Sequence, residues 1–210
     1  MRIIISNLLL VFILYNCSNS KTSDSTNENV KNTYKESLTF EPPDYRHSYR
    51  NYKAYKYYMN GNEYFYKNEY DKAIKNYKKS VIIEPSAPAY SELGMAYFRE
   101  NDYQKAIKAY RKSIKNDSTF WSSHFNLAKL YLKKENYDKS SKILKNIVAK
   151  TNSKFWKDYS NFTLAAIHYN KKEFKKAKDL IEKTSDLENH PVIRDIYLKT
   201  KKRVDKYISD

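Results

Sequence analysis

The chain has 210 residues, a formal net charge of +16 and 16% aromatic residues. This length leaves room for one domain of ordinary size. The sequence contains only two glycines and five prolines but 22 tyrosines, which favours helices over a turn-rich sheet protein. Two glycines cannot build a glycine-rich phosphate loop, and a single cysteine excludes an internal disulfide.

The first residues have the pattern of a secretory leader. Arg2 supplies one positive charge, and the apolar run 3–15 that follows is interrupted only by Ser6 and Asn7. The run is too short to cross a bilayer as a helix, which takes roughly 20 residues. It fits the hydrophobic region of a signal peptide, and we predict such a peptide over residues 1–16.

The leader ends at the only cysteine, Cys17. The sequence Leu14-Tyr15-Asn16-Cys17 resembles a bacterial lipoprotein lipobox, in which the cysteine becomes the acylated first residue. Leu14 matches that pattern, whereas Tyr15 and Asn16 depart from it, because Gly, Ala or Ser normally precedes the cysteine. The resemblance implies a diacylglyceryl group and an amide-linked chain on Cys17, enough to hold a protein stably at a membrane. The alternative is an ordinary secretory peptide with an incidental cysteine.

Residues 17–45 are predicted to form the acylated Cys17 and a flexible tether. The segment is rich in Ser, Thr and Asn and poor in apolar residues, so it cannot bury enough surface to offset its ordering entropy. Pro42-Pro43 prevents a helix from running through its end. Over residues 18–50, five basic residues balance five acidic ones, so the excess positive charge lies beyond residue 50.

A 33-residue pattern then recurs. Gly61 and Gly94, the only glycines, occupy the same point of it. The residues Tyr57, Tyr64, Phe65, Asn68, Tyr70, Lys72, Ala73, Ile74, Lys75, Tyr77, Lys79 and Ser80 recur as Tyr90, Tyr97, Phe98, Asn101, Tyr103, Lys105, Ala106, Ile107, Lys108, Tyr110, Lys112 and Ser113. Such a period is typical of a solenoid, in which each unit buries its apolar face against a neighbour.

Each unit is predicted to contain two amphipathic helices. In the first unit, helix A covers about 54–67 and helix B about 70–83, and Pro85 forces the preceding residue out of the helix. We expect the small residues Gly94 and Ala106 where two helices approach closely, and large tyrosines where the gap must be filled.

The repeated residues resemble the tetratricopeptide repeat. The structural positions that carry the resemblance are Gly61, Tyr64, Tyr70, Ala73, Tyr77 and Pro85, then Gly94, Tyr97, Tyr103, Ala106 and Tyr110. It implies an all-α, right-handed α-solenoid of about four helix-turn-helix repeats, with a domain at 46–189 and units at about 54–86, 87–120, 121–153 and 158–189. About three extra residues are expected near 151–154, a short helix within 44–53, and a capping helix in 190–210 that opens at Pro191.

In this family helix A lines the concave face. Carried over by position, that implies a peptide-binding groove formed by Tyr55, Tyr58, Met59, Asn62, Tyr66, Met95, Phe98, Arg99, Phe125, Asn126 and Lys129. Aromatic anchors with a few polar groups suit an extended or helical peptide, and Tyr58, Tyr66, Phe98 and Phe125 are the expected anchors. The alternative is that some of these rings pack against adjacent repeats.

The other helix of each unit carries a basic pattern. Lysine occupies one helix-B position in all four units (Lys72, Lys105, Lys139 and Lys176), and further lysines follow at Lys75, Lys108 and Lys142 and at Lys79, Lys112 and Lys183. These spacings share one helix face. The pattern predicts a basic convex ridge for anionic lipid or an acidic partner, or else a solvated lysine surface.

No pattern for catalysis, cofactor or metal is present, so we expect no enzymatic activity, cofactor, metal, nucleic acid or small-molecule substrate. The function predicted is that of a membrane-anchored adaptor of the bacterial cell envelope that binds a peptide segment of another envelope protein. Ser18 after the cysteine is not the inner-membrane retention Asp, which favours the outer membrane, with its leaflet left open. The alternative is a surface-exposed lipoprotein, an adhesin or host-facing coat protein, that uses the basic face.

Overall fold

The computed structural model describes residues 45–184, 187–188 and 194–207. Within these ranges the chain forms nine α-helices, a 3-10 helix at Tyr45–Ser48, further 3-10 structure at residues 187–188, and no β-strand. The all-α class predicted from the sequence is therefore confirmed. The predicted leader, Cys17 and tether (residues 1–44) and Pro191 lie outside the described residues.

The helices follow one another with short connections. They are a 3-10 helix (Tyr45–Ser48), α1 (Tyr52–Tyr66), α2 (Tyr70–Ile83), α3 (Ala87–Arg99), α4 (Tyr103–Asn116), α5 (Trp121–Lys133), α6 (Tyr137–Lys150), α7 (Lys154–Asn170), α8 (Phe174–Glu182) and α9 (Arg194–Lys206).

The described residues divide into two compact units, an N-terminal unit within Asp44–Trp156 and a C-terminal unit within Lys157–Asp210. In the N-terminal unit α1 pairs with α2, α3 with α4 and α5 with α6, while α2 also packs on α3 and α4 on α5. Helix A of each repeat also contacts helix A of the next, α1 with α3 and α3 with α5. This is solenoid packing, in which each helix pair covers the apolar face of its neighbour.

Four turns join helix A to helix B, and all have the same geometry. One residue in each has a positive φ between 56° and 60°, namely Asn68, Asn101, Glu135 and Lys172. In the first turn the Asn68 N–H donates to the Phe65 carbonyl at 3.0 Å, and the Glu69 N–H donates to the Tyr64 carbonyl at 2.9 Å. This pair of bonds is a Schellman motif, and it recurs in the other three turns. The motif reverses the chain so that helix B can pack on helix A.

The two glycines lie where helix A meets the ring of a helix-B tyrosine. A Cβ on Gly61 would stand 2.5 Å from Cδ1 and Cε1 of Tyr77, and a Cβ on Gly94 would stand 2.7 Å from the same atoms of Tyr110. Both rings are fully buried. The rings therefore occupy the space that a side chain at either glycine would need.

The remaining repeat positions lie in the same packing layer or at its ends. Ala73 and Ala106 are fully buried, Tyr97 is buried and Tyr64 is half-buried. Glu84, which ends α2, has extended dihedrals (φ −147°, ψ 109°) before the exposed Pro85, as expected for the residue before a proline.

The C-terminal unit has its own apolar core. Phe162 and Ala165 of α7, Ala177 and Ile181 of α8, Leu187, and Tyr197 and Val204 of α9 form one buried cluster. The Tyr197 hydroxyl donates to the Ile181 carbonyl at 3.2 Å, which satisfies the polar end of a buried ring.

Several predicted boundaries need correction. The short helix expected within 44–53 is present as the 3-10 helix, whereas α1 starts at Tyr52 rather than near residue 54. The extra residues expected near 151–154 lengthen a helix, since α7 has 17 residues where α3 and α5 have 13. Helix A of the fourth unit therefore starts at Lys154, four residues before the predicted position. The described last helix starts at Arg194.

Candidate peptide-binding face

The residues predicted to form the groove lie on α1, α3 and α5, the helix-A positions of the N-terminal unit. The structure separates them by exposure. Tyr58, Asn62, Phe98 and Phe125 are buried, Tyr55, Met95, Arg99, Asn126 and Lys129 are half-buried, and Met59 and Tyr66 are exposed.

Tyr58 and Asn62 belong to the packing between α1 and α2. The Tyr58 ring lies 6.2 Å from the Tyr77 ring and 5.5 Å from the Tyr49 ring, measured between centroids. The Asn62 Oδ1 accepts a hydrogen bond from the buried Tyr77 hydroxyl at 2.8 Å. Asn62 therefore satisfies a buried hydroxyl, which would otherwise cost free energy, and Tyr58 fills core volume.

Phe98 and Phe125 are packing residues as well. The Phe98 ring lies 5.7 Å from Tyr103, with the Lys133 Nζ 5.8 Å from its centroid. The Phe125 ring lies 5.7 Å from Trp156. The expectation that Tyr58, Phe98 and Phe125 are solvent-facing anchors is therefore wrong. Tyr58 is covered by rings of the preceding segment and of its own helix B. Phe98 is covered by its own helix B and by Lys133 of the next repeat, and Phe125 by Trp156 of the next repeat.

The accessible part of the face centres on α1 and α3. Tyr66 is 57% exposed and Met59 is 37% exposed. The Arg99 guanidinium of α3 lies 5.9 Å from the centroid of the Phe65 ring of α1, a cation–π contact that joins the two repeats. Exposed large apolar side chains beside a positioned Arg are the composition of a protein-binding patch.

Glu92 of α3 lies on the helix-A side that the repeat pattern predicts to line the groove. It is half-buried, and burial raises its pKa to about 7. The pKa of the Tyr66 hydroxyl is raised by burial and then by the charge of Glu92, so this carboxyl and the exposed ring influence each other across the α1–α3 contact. Periodicity identified the helix face of Glu92 but could not show its desolvation.

Tyr55 extends the face toward the start of the unit. It lines a depression of about 510 Å³ with Arg46, His47, Tyr49, Arg50 and Tyr52. Tyr49 anchors this edge, since its hydroxyl accepts from the Ser86 Oγ at 2.9 Å. The Arg50 and Asn51 N–H groups donate to the Glu84 carboxylate at 2.8–3.1 Å, so the segment before α1 is held against the connection from α2 to α3.

The helix-B lysines do not form one uniform row of free charges. Lys72, Lys105 and Lys139 place their ammonium groups 5.4–5.6 Å from the rings of Tyr64, Tyr97 and Tyr131. Lys72 also pairs with Glu69 and Lys105 with Asp102, each at 2.5 Å. This first lysine row therefore helps to pack helix B on helix A, while Lys75, Lys108 and Lys142 are exposed.

No helix in the described ranges is long and apolar enough to cross a membrane.

Comparison with protein families agrees with the repeat pattern. Models described as tetratricopeptide repeat match residues 87–120 and 109–140, and one described as TPR repeat matches residues 61–99. Tetratricopeptide repeats are thus confirmed over residues 61–140. No curated protein matches the chain at a significant level.

Solved structures share the fold at low identity. A crystal structure of MamA protein has 18% identity and a TM-score of 0.57, covering 75% of this chain and 88% of that one. MamA from Desulfovibrio magneticus RS-1 has 16% identity and a TM-score of 0.57, covering 75% and 92%. A TPR repeat-containing protein of Cytophaga hutchinsonii has 18% identity and a TM-score of 0.58, covering 95% and 68%. These likenesses show the fold alone.

The fold and the repeats define the class: the described residues form an all-α helical solenoid, and residues 61–140 of it consist of tetratricopeptide repeats.

Proposed function

We propose that the chain is a membrane-anchored adaptor of the bacterial cell envelope, which binds a peptide segment of another envelope protein on its helix-A face. The observation that carries the binding role is the exposure of Tyr66 and Met59 on α1, the helix whose Phe65 ring contacts the Arg99 guanidinium of α3, within a stack of tetratricopeptide repeats. Exposed aromatic and Met side chains bury large apolar area on binding, and Arg fixes register.

The anchoring half of the proposal rests on the sequence. The leader at 1–16 and Cys17 resemble the start of a lipoprotein, and the excess positive charge beyond residue 50 follows a charge-balanced segment. A lipid on Cys17 would concentrate the repeats at a membrane surface, where the outer membrane is the favoured site. Binding would be passive, without turnover.

In-cell photocrosslinking tests the binding face. The reactive residue replaces Tyr66, which is exposed on the helix-A face, and in separate strains Lys108 and Lys145, which are exposed on α4 and α6. We expect one discrete protein adduct from Tyr66 and none from Lys145. Tyr58 is unsuitable as a probe because it is only 3% exposed.

Two substitutions complement the crosslink. Met59→Ala with Tyr66→Ala should weaken formation of the adduct from a probe at Met95 without loss of helix content, because both replaced side chains are exposed. An unchanged adduct in this double variant would reject the helix-A face as the binding surface.

A second function has one supporting observation, the exposed lysines Lys75, Lys108 and Lys142 on the helix-B side. It is a surface-exposed lipoprotein that meets host or neighbouring acidic surfaces through this side. Protease treatment of intact cells distinguishes the two functions: full protection excludes the surface role, and rapid loss excludes a periplasmic adaptor.

A further inference from the structure

A groove lies on the helix-B side of the N-terminal unit, where α2, α3 and α4 meet. Its volume is about 350 Å³, within the range of about 300–1,000 Å³ found for ligand pockets. The apolar floor is formed by Val81, Leu93 and Ala109, and Lys78, Lys108 and Lys112 stand at the rim. It is formed by residues that lie apart from the helix-A face.

One side chain that lines the groove is aliphatic and exposed to solvent. Ile82, which also lines the groove, is 79% exposed, the most exposed large apolar residue in the described part of the chain. Val81, Leu93 and Ala109 are buried, between 4% and 9% exposed. The groove therefore offers a recessed apolar surface with an uncovered aliphatic edge, a combination that marks a binding surface more often than scattered exposed residues do.

Aromatic rings position the lysines around the groove. The Lys112 Nζ lies 5.5 Å from the Tyr90 ring centroid. The Lys78 and Lys105 Nζ atoms lie 5.8 Å and 5.6 Å from the Tyr97 centroid. Cation–π attraction holds these ammonium groups over the rings, so they stay at the rim while their methylene stems line the walls.

The charges at the rim are mostly uncompensated. Lys105 pairs with Asp102 at 2.5 Å, but Lys78, Lys108 and Lys112 form no salt bridge with any residue in the described ranges. Lys108 and Lys112 are one helical turn apart on α4 and share a face, with Lys78 opposite on α2. Three cations thus surround a recess that fits one or two apolar side chains.

We propose that this groove binds a short acidic segment of a partner protein, with a Leu, Ile or Phe side chain on the apolar floor and flanking carboxylates on Lys78, Lys108 and Lys112. The charge complementarity selects an acidic ligand, and the recessed floor selects a peptide over a flat anionic membrane, which would leave the floor uncovered. This site is independent of the helix-A face, so the chain could join two proteins.

Peptide binding to the full chain tests the proposal. The probes are immobilised short peptides in which Asp or Glu alternates with Leu, Ile, Val or Phe, and the tightest binder is then measured by fluorescence anisotropy. Two matched peptides replace its acidic residues with Lys or its apolar residues with Ser. Vesicles of phosphatidylglycerol provide the lipid comparison.

Charge-reversal variants assign the site. Lys108→Glu with Lys112→Glu should weaken the acidic peptide about tenfold or more, because carboxylates would then face carboxylates. Ile82→Ser should weaken it about threefold without touching the core. The matched control is Lys142→Glu with Lys145→Glu on α6, the same charge change at exposed positions, and it should stay within about twofold of the wild type. Circular dichroism checks that helix content and Tm are unchanged.

Four results would overturn the proposal. The first is that no acidic peptide binds, and the second is that the peptide with Ser in place of its apolar residues binds as well as the original. The third is that the control pair on α6 weakens binding as much as the groove pair on α4, which indicates general charge attraction. The fourth is that the groove pair abolishes vesicle binding while acidic peptides do not compete with vesicles, which assigns the lysines to a lipid surface.

Discussion

At the scale of single residues, Gly61 and Gly94 allow the two helices of a repeat to pack closely. Both glycines lie within helices and neither has a positive φ, so alanine would normally stabilise these positions by about 0.5–1 kcal/mol. Here the added Cβ would meet the ring of Tyr77 or Tyr110 at 2.5–2.7 Å. Whether alanine raises or lowers the free energy of unfolding therefore reports whether the tyrosine rings fill the space beside each glycine.

We expect Gly61→Ala to destabilise the protein by about 1–3 kcal/mol, the usual cost of overpacking a close-packed interior. Urea unfolding followed by circular dichroism measures it. Lys56→Ala, at an exposed position of α1, serves as the control and should change stability by less than about 0.5 kcal/mol. A stabilising Gly61→Ala would mean that Tyr77 moves freely away.

The raised pKa of Glu92 should make the stability of the protein depend on pH. Its pKa is raised to about 7 by burial, so between its ordinary value and pH 7 the folded state holds a proton that the unfolded state has lost. Stability then falls as pH rises through this window. Tyr49, Tyr66 and Tyr77, which interact with this carboxyl, have pKa values raised by burial and stay neutral across the window.

Glu92→Gln removes the titrating group. We expect the variant to match the wild type near pH 4.5 and to be more stable by about 1–3 kcal/mol at pH 8, measured by urea unfolding at both pH values. The lowered pKa of His124, caused by burial, affects both proteins equally and cancels in the difference. A difference independent of pH would show that Glu92 titrates normally.

Burial of individual side chains was only partly predictable from the sequence. The recurrence at 33 residues assigned Tyr58 and Phe98 to helix A and to its inner side, but periodicity carries no information on which rings cover them. Tyr58 lies against Tyr49 and Tyr77, and Phe98 lies against Tyr103 and Lys133. Tyr66, the last residue of α1, remains 57% exposed.

At the scale of elements, the turns between paired helices all form the Schellman motif. The residue with positive φ differs among the turns, and not every residue type adopts that conformation at the same cost. Asn68 and Asn101 tolerate the left-handed conformation, and their Oδ1 atoms accept from the hydroxyls of Tyr70 and Tyr103 at 2.7 Å. Glu135 and Lys172 occupy the same conformation without this advantage. A left-handed residue other than Gly or Asn costs roughly 1–2 kcal/mol.

Glu135→Gly and Lys172→Gly should therefore each stabilise the protein by about 0.5–1 kcal/mol, detected as a higher Tm. Lys134→Gly is the matched control, because its φ is −86° and glycine there only adds chain entropy to the unfolded state. We expect that control to lower the Tm. Equal effects at residues 134 and 135 would contradict the turn geometry.

The repeat pattern located most elements and missed local extensions. The predicted helix B of the first unit, 70–83, coincides with α2, because Tyr70 follows a turn and Pro85 ends the helix. The repeat spacing indicated about three extra residues near 151–154 but not their structure. Ser153 lies directly before α7, where its Oγ accepts from the Trp156 N–H at 3.5 Å, as a helix-capping serine does.

At the scale of the whole molecule, the sequence assigns attachment and binding to different segments. Residues 18–50 carry balanced charge, and the formal +16 of the chain therefore resides almost entirely in the repeats and the last helix. A basic repeat domain that also carried a lipid would be held at an anionic membrane by two interactions, insertion of the lipid and attraction of the positive charges. Only the attraction of the charges is screened by salt.

This separation makes the anchor testable on its own. In bacterial cells the wild-type chain should fractionate with membranes, resist extraction by high salt, and show an intact mass that corresponds to removal of residues 1–16 and addition of acyl chains at Cys17. Cys17→Ser should abolish the acyl mass and leave residues 1–16 attached, because the cysteine both carries the lipid and marks the cleavage site, and the intact mass reports both changes. Asn16→Gly, which restores the usual small residue before the cysteine, should be processed at least as completely as the wild type. Cleavage at another bond, or a wild-type mass without acyl chains, would refute lipidation while leaving the binding properties of the repeats to be judged by their own experiments.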